Sequence, residues 1–145
     1  MKNLMIVFAI AMLSACSAQK KNMSSQQNSE PPYQLHDIWA LKELQGKAVS
    51  PDDYKMKGVP VLEIYVKEKR YSGHTGCNQL NGQLEELTAE KIKFGAGAMT
   101  RMACQGVDEG TYVKTLESVD SFQRKGLDLE FLSEGKVVMI FKKID

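Results

Sequence analysis

Gly73-His74-Thr75-Gly76-Cys77-Asn78-Gln79-Leu80-Asn81-Gly82 is the stretch on which the fold reading turns. Within ten residues it holds Gly73, Gly76 and Gly82, the asparagines Asn78 and Asn81, and an internal cysteine. Glycine supplies positive φ or lets two backbones approach closely, and asparagine beside glycine is turn chemistry. Asn81-Gly82, in a region of short apolar runs, is a type I′ hairpin signal, with a glycine-bearing bend as the alternative. The stretch therefore reads as a tight bend in a sheet. Gly73, Gly76, Asn78, Asn81 and Gly82 take structural roles in that reading, and ligand binding by the asparagines is the alternative.

Upstream, Ile38–Leu44, Val61–Val66 and Arg70–Gly73 read as strands from their β-branched and aromatic content. Residues 47–59, with Pro51, two aspartates and Gly58, read as an irregular connection. Downstream, Ile92–Phe94 and Ala98–Met102 are short strands around the Gly95-Ala96-Gly97 break. Asp108 is a helix N-cap with Glu109 in the first turn. Tyr112, Val113, Leu116, Val119 and Phe122 then recur at helical spacing, and Arg124-Lys125 before Gly126 mark the stop. After Gly126 the period becomes two through Leu127, Leu129 and Phe131, and Val137–Phe141 returns as a buried strand. One helix has one apolar stripe, so the sheet must curl to bury its remaining apolar faces. The expected class is α+β, a curved, partly closed antiparallel sheet of about seven short strands with one amphipathic α-helix.

The N-terminus reads differently. Met1-Lys2 is a short basic start, and Leu4–Leu13 is an unbroken apolar run. As a helix at about 1.5 Å per residue, the run reaches only half a bilayer core, which fits the h-region of a signal peptide. Leu13-Ser14-Ala15-Cys16 resembles the lipobox of bacterial lipoproteins, in which the cysteine is acylated and becomes the mature N-terminus. The expected divisions are a signal peptide over residues 1–15, a lipidated N-terminus and flexible tether over 16–35, and a domain over 36–145. More than one acyl chain on Cys16 gives stable anchoring. Ser17 in place of Asp resembles sorting to the outer membrane. Ser17–Tyr33 is rich in Ser, Gln, Lys and Asn, and its r.m.s. reach is about 25 Å.

Removing residues 1–15 takes away one of the 19 Lys and Arg and none of the 18 Asp and Glu, leaving a formally neutral chain. Neutrality without a basic stripe argues against a nucleic-acid partner. Of three cysteines, the lipid claims Cys16 and leaves Cys77 and Cys104. In an exported protein such a pair favours a disulfide, with two packed thiols as the alternative.

Trp39-Ala40-Leu41 with Leu44 and Gly46, Tyr71-Ser72-Gly73, Gly76-Cys77-Asn78, Asn81-Gly82, Met99-Thr100-Arg101-Met102-Ala103-Cys104, Leu116 and Leu127-Asp128-Leu129 together resemble the META domain (HslJ-like) family. The resemblance spans roughly residues 37–143. Gln105 stands where the family often has proline, and Gln83-Leu84 replaces a usual aromatic. The resemblance implies a small α+β fold with a curved antiparallel sheet, often secreted or lipid-anchored. It also implies an association with envelope stress and antibiotic resistance, and no established enzymatic activity. Some such folds resemble the pilot lipoproteins of type III secretion, which hold an acyl chain in a cracked barrel.

The chemistry-bearing residues give little for an enzyme. His74, Cys77 and Asn78 have the residue types of a cysteine hydrolase, but such groups normally come from separate parts of a fold, and a bridged cysteine has no thiolate. His36, His74, Cys77 and Cys104 lack paired-ligand spacing for a metal. Gly95-Ala96-Gly97 lacks the third glycine and following helix of a dinucleotide site. Arg101 is open between an internal ion pair and a partner contact. Met99, Met102 and Met139 read as core, with flexible thioethers that would also suit an apolar cavity. The expectation is a non-enzymatic, cofactor-free envelope lipoprotein that binds another envelope component in envelope maintenance or stress. The alternative is a carrier or pilot that holds an apolar ligand or acyl chain between helix and sheet.

Overall fold

Alternation along Val61–Tyr65 buries Leu62 and Ile64 and leaves Val61, Glu63 and Tyr65 half-covered, the pattern of a sheet with one face inward. The computed structural model describes residues 32–145, so the expected signal peptide, Cys16 and nearly all of the tether lie outside the described residues. Ten strands and one helix follow: β1 Ile38–Leu44, β2 Lys47–Ala48, β3 Val61–Tyr65, β4 Arg70–His74, β5 Gln79–Leu87, β6 Ile92–Phe94, β7 Ala98–Met99, α1 Glu109–Glu117, β8 Ser121–Lys125, β9 Asp128–Ser133 and β10 Lys136–Lys143.

The strands pair antiparallel in the order β6-β5-β4-β3-β1-β10-β9-β8, with β2 beside β1 and β7 beside β5. Register shifts between Leu41 and Glu43, Leu84 and Glu86, and Val137 and Met139 bend the sheet. The two edges then come together: the Phe122 amide at the start of β8 donates to the Glu90 carbonyl before β6, at 3.2 Å. The result is a nearly closed barrel. Its interior carries a chain of edge-to-face rings, Tyr71–Phe94–Phe131–Phe141, with successive centroids 5.2, 5.3 and 5.5 Å apart.

Both ends are stoppered. At one, α1 buries Tyr112, Thr115 and Leu116, and Gln45 Nε2 donates to Thr115 Oγ1 at 3.0 Å. At the other, a 3-10 turn over Tyr33–Leu35 inserts the fully buried Leu35, whose carbonyl accepts from Trp39 Nε1 at 3.1 Å. The packed fold thus takes in Leu35, just ahead of His36, where the sequence reading begins the domain.

The class matches expectation, and four local details differ. There are ten strands where about seven were expected. The helix ends at Glu117, not near Lys125, because the ladder with β9 claims the next segment, pairing Phe122 with Phe131. Asp120 reinforces this, accepting from the Glu134 amide at 2.7 Å across the β9–β10 turn. Asn81-Gly82 is not a turn: both lie inside β5, opposite Ser72 and Tyr71, and the reversal falls at residues 75–78. Met139 is buried as expected, but Met99 and Met102 are exposed.

Candidate functional site

The four residues Thr75–Asn78 turn β4 into β5 and lie against the strap that runs from β7 to α1. Cys77 and Cys104 are joined by a disulfide, with Cα atoms 5.9 Å apart. Asn78, almost fully buried, supplies the rest of the fastening. Its Oδ1 accepts from Thr100 Oγ1 at 2.8 Å and the Met102 amide at 2.7 Å. Its Nδ2 donates to the Met102 carbonyl at 3.0 Å and Glu109 Oε2 at 2.8 Å. The other Glu109 oxygen accepts from the Asn78 amide at 3.1 Å and from the Thr75 hydroxyl. One amide and one carboxylate thereby hold loop, strap and helix start in a single arrangement.

The glycines of the opening stretch are there for space. Gly76 has φ +89°, and a Cβ there would overlap the Tyr54 ring. Gly82 forms the bed for Tyr71, where a Cβ would come 2.5 Å from the ring, whose hydroxyl donates to the Gly95 carbonyl at 2.8 Å. Gly73 lies in β4 against the Val61 backbone. Asn81 is exposed on β5. Arg101 is also exposed, and it forms no ion pair among the described residues.

These placements decide what the cluster can do chemically. Cys77 is consumed by its disulfide, so a Cys–His–Asn nucleophile has no thiolate. His74 Nδ1 accepts from the Gly76 amide at 3.1 Å, and burial, with Lys57 second, holds the imidazole below its usual range and neutral near pH 7. Among the described residues, no group of three His, Cys, Asp or Glu side chains is set to hold a metal. The cluster is a staple that shapes what lies beside it.

Beside it is a groove of about 370 Å³ between the β1–β2 hairpin, the 51–54 turn and the start of α1. Leu44, Val49 and Tyr54 give it apolar walls, and Lys47, Asp53 and Asp108 charge its rim. Local sequence builds each side. Ser50 and Asp53 form a reciprocal capping box around Pro51, and Asp108 caps α1 through the Thr111 amide at 3.0 Å. Tyr54 is both a wall of the groove and the ring seated on Gly76, which ties the groove to the staple. A second depression, of about 210 Å³, lies over β9 and β10, where Lys125 pairs with the largely buried Glu130 at 2.9 Å.

Sequence reasoning places Glu109 only as a first-turn charge and leaves Tyr54 in an irregular connection. The Ser50-Pro51-Asp52-Asp53 capping signal ahead of Tyr54 is the cue that could have found the groove.

A ten-stranded, nearly closed barrel stoppered by a single α-helix and stapled at its Gly-Cys-Asn turn defines a small barrel-type domain. The META domain family model matches residues 34–145, and the chain belongs to that family. No curated protein matches the chain. Among solved structures it is similar to one determined by NMR, at 24% identity and TM-score 0.59, covering 79% of this chain and 95% of the other. An NMR structure of a protein from Burkholderia xenovorans matches at 20% identity and TM-score 0.58 over 99% of both chains. A duf4847 family protein from Bacteroides vulgatus matches at 13% identity and TM-score 0.52, over 77% of this chain and 96% of the other. These likenesses are of fold.

Proposed function

We propose that this chain is a lipid-anchored bacterial envelope protein whose META domain binds another envelope component without catalysis, in envelope maintenance or stress. Signal-peptide character over residues 1–15 and the lipobox-like Leu13-Ser14-Ala15-Cys16 support the anchoring, and Ser17 supports the outer membrane as its site. The observation that carries the binding reading is the groove itself. Its Tyr54 wall rests on Gly76, in the turn fastened by Cys77, Asn78 and Glu109, so a recognition surface is held rigid before any partner arrives. Saturation of Asn78 and Cys77 by structural bonds supports a role without chemistry. The space between helix and sheet is filled by Tyr112, Leu116, Phe94 and Phe131, which favours surface binding over an enclosed acyl chain.

The test is in-cell photo-crosslinking in the native host from Lys47 on the groove rim, with the exposed Lys91 as control. A discrete adduct from Lys47 that the control lacks is expected. Identical labelling from both positions removes the groove as the binding site. Palmitate incorporation lost in Cys16→Ser tests the anchor separately.

A further inference from the structure

The barrel end stoppered by Leu35 is also where the described chain begins, and it gathers three large apolar side chains. Tyr33, Leu127 and Ile144 are 54%, 60% and 54% exposed. The hydrogen bonds place them together. Arg124 Nη1 donates to the Gln34 carbonyl at 2.8 Å and Nη2 to the Gly126 carbonyl at 2.7 Å, joining the 33–35 turn to the β8–β9 turn. The Lys143 amide donates to the Leu127 carbonyl at 2.9 Å, and the Ile144 amide to the Ile38 carbonyl at 3.2 Å. The β3–β4 turn reaches the same end, with exposed Lys67 and Lys69 flanking Glu68, and Val66 bonded to His36. Lys143 is already paired with Asp37 at 2.5 Å and with Asp145 at 3.5 Å.

Met56, Met99, Met102 and Val137 are exposed elsewhere, so apolar exposure alone does not single out this end. The point at which the chain enters does. Under the anchoring reading, Tyr33 is joined to the acylated Cys16 by residues 17–32 alone. The helix-stoppered end lies a strand length farther away, about 25 Å for a strand of seven or eight residues. The tether therefore presents the Tyr33 end to the bilayer first. Tyrosine and aliphatic side chains rimmed by lysines are the chemistry of a lipid headgroup boundary, where the rings and stems bury and the ammonium groups stay at the phosphates.

We infer that the end formed by Tyr33, Leu127 and Ile144 seats on the phospholipid surface and turns the groove and Asn78 staple away from it. The inference rests on the lipoprotein reading. Full-length protein purified from bacteria would be placed in phosphatidylethanolamine–phosphatidylglycerol vesicles whose acyl chains carry bromine, a contact quencher of tryptophan. Leu127→Trp is expected to lose most of its added emission and shift to the blue, while Met56→Trp keeps its emission, each read against the wild-type signal of buried Trp39. Equal quenching at both positions, or at neither, overturns the orientation. An emission shift at Leu127→Trp that follows protein concentration and not brominated lipid assigns the surface to a second copy and overturns it too. The mass of the N-terminal peptide separates the two layers. Without acyl groups on Cys16 the anchoring reading fails and this inference with it; an acylated chain with unquenched Leu127→Trp overturns this inference alone.

Discussion

Asn78 Nδ2 stands 2.8 Å from Glu109 Oε2, a bond between the turn of a β-hairpin and the first residue of the only α-helix among the described residues. Asn78→Asp would set a second carboxylate against Glu109 and the Met102 carbonyl. It is expected to destabilise the fold by about 2–4 kcal/mol, and Glu109→Gln, which keeps one acceptor, by about 1 kcal/mol. Urea unfolding of the two variants measures both, and a milder loss for Asn78→Asp than for Glu109→Gln would contradict the network described.

The disulfide spans 27 residues. In the chain-entropy model its closure contributes about 3.5 kcal/mol, so Cys77→Ser with Cys104→Ser should lower the urea midpoint by a comparable free energy. A smaller change than Asn78→Asp gives would make the hydrogen bonds the dominant fastening.

Gly76→Ala meets both a positive φ and the Tyr54 ring, and Gly82→Ala meets the Tyr71 ring. Each should cost about 1–3 kcal/mol. Only Gly76→Ala should also reduce crosslinking from Lys47, because only it displaces a groove wall. Loss of crosslinking in Gly82→Ala alone would break the link drawn between staple and groove.

Burial, with Glu117 second, pushes the Tyr71 hydroxyl up to about 12, and burial raises that of Tyr112, which has no hydrogen-bond partner among the described residues. A raised phenol binds its proton more tightly in the folded state than in the unfolded chain. Stability is thus unaffected below about pH 10, the ordinary tyrosine value, and falls as pH rises from there towards 12. Phenolate absorbance should show these two rings titrating only as the fold opens, and their ionisation in a fully folded protein would refute the packing.

Arg124 lies over the Trp39 ring, 4.6 Å from its centroid, while its nitrogens hold the 33–35 and β8–β9 turns. Arg124→Ala should cost about 1–2 kcal/mol. Trp39 is the sole tryptophan, so its emission should shift to the red and become open to acrylamide as Leu35 loosens. An unchanged spectrum would show that Leu35 seals that end unaided.

The curled sheet was legible because seven segments alternate or cluster in ways that one helix cannot cover. Asn81-Gly82 misleads because a glycine required under a tyrosine ring looks the same in sequence as a glycine required by a turn; only the position of Tyr71 opposite Gly82 separates them. Phe122 is inward in either reading, so helical spacing extends past Glu117 until the pairing with Phe131, a tertiary fact, overrides it. Glu109 shows the same limit at the site. Its charge at a helix start is visible, but its acceptance from Thr75 and Asn78 depends on a contact between residues 31 or more apart.

The central pair β1 and β10 joins the first long strand to the last, with Trp39 opposite Lys143 and Leu44 opposite Met139. Synthesis and any passage across a membrane deliver these partners in order, first and last. Until Val137–Phe141 emerges, β1 and β9 each lack the neighbour that β10 supplies, so the barrel cannot close before that strand arrives. How long the open sheet stays exposed to proteases and to other chains therefore depends on the arrival of Lys136–Lys143.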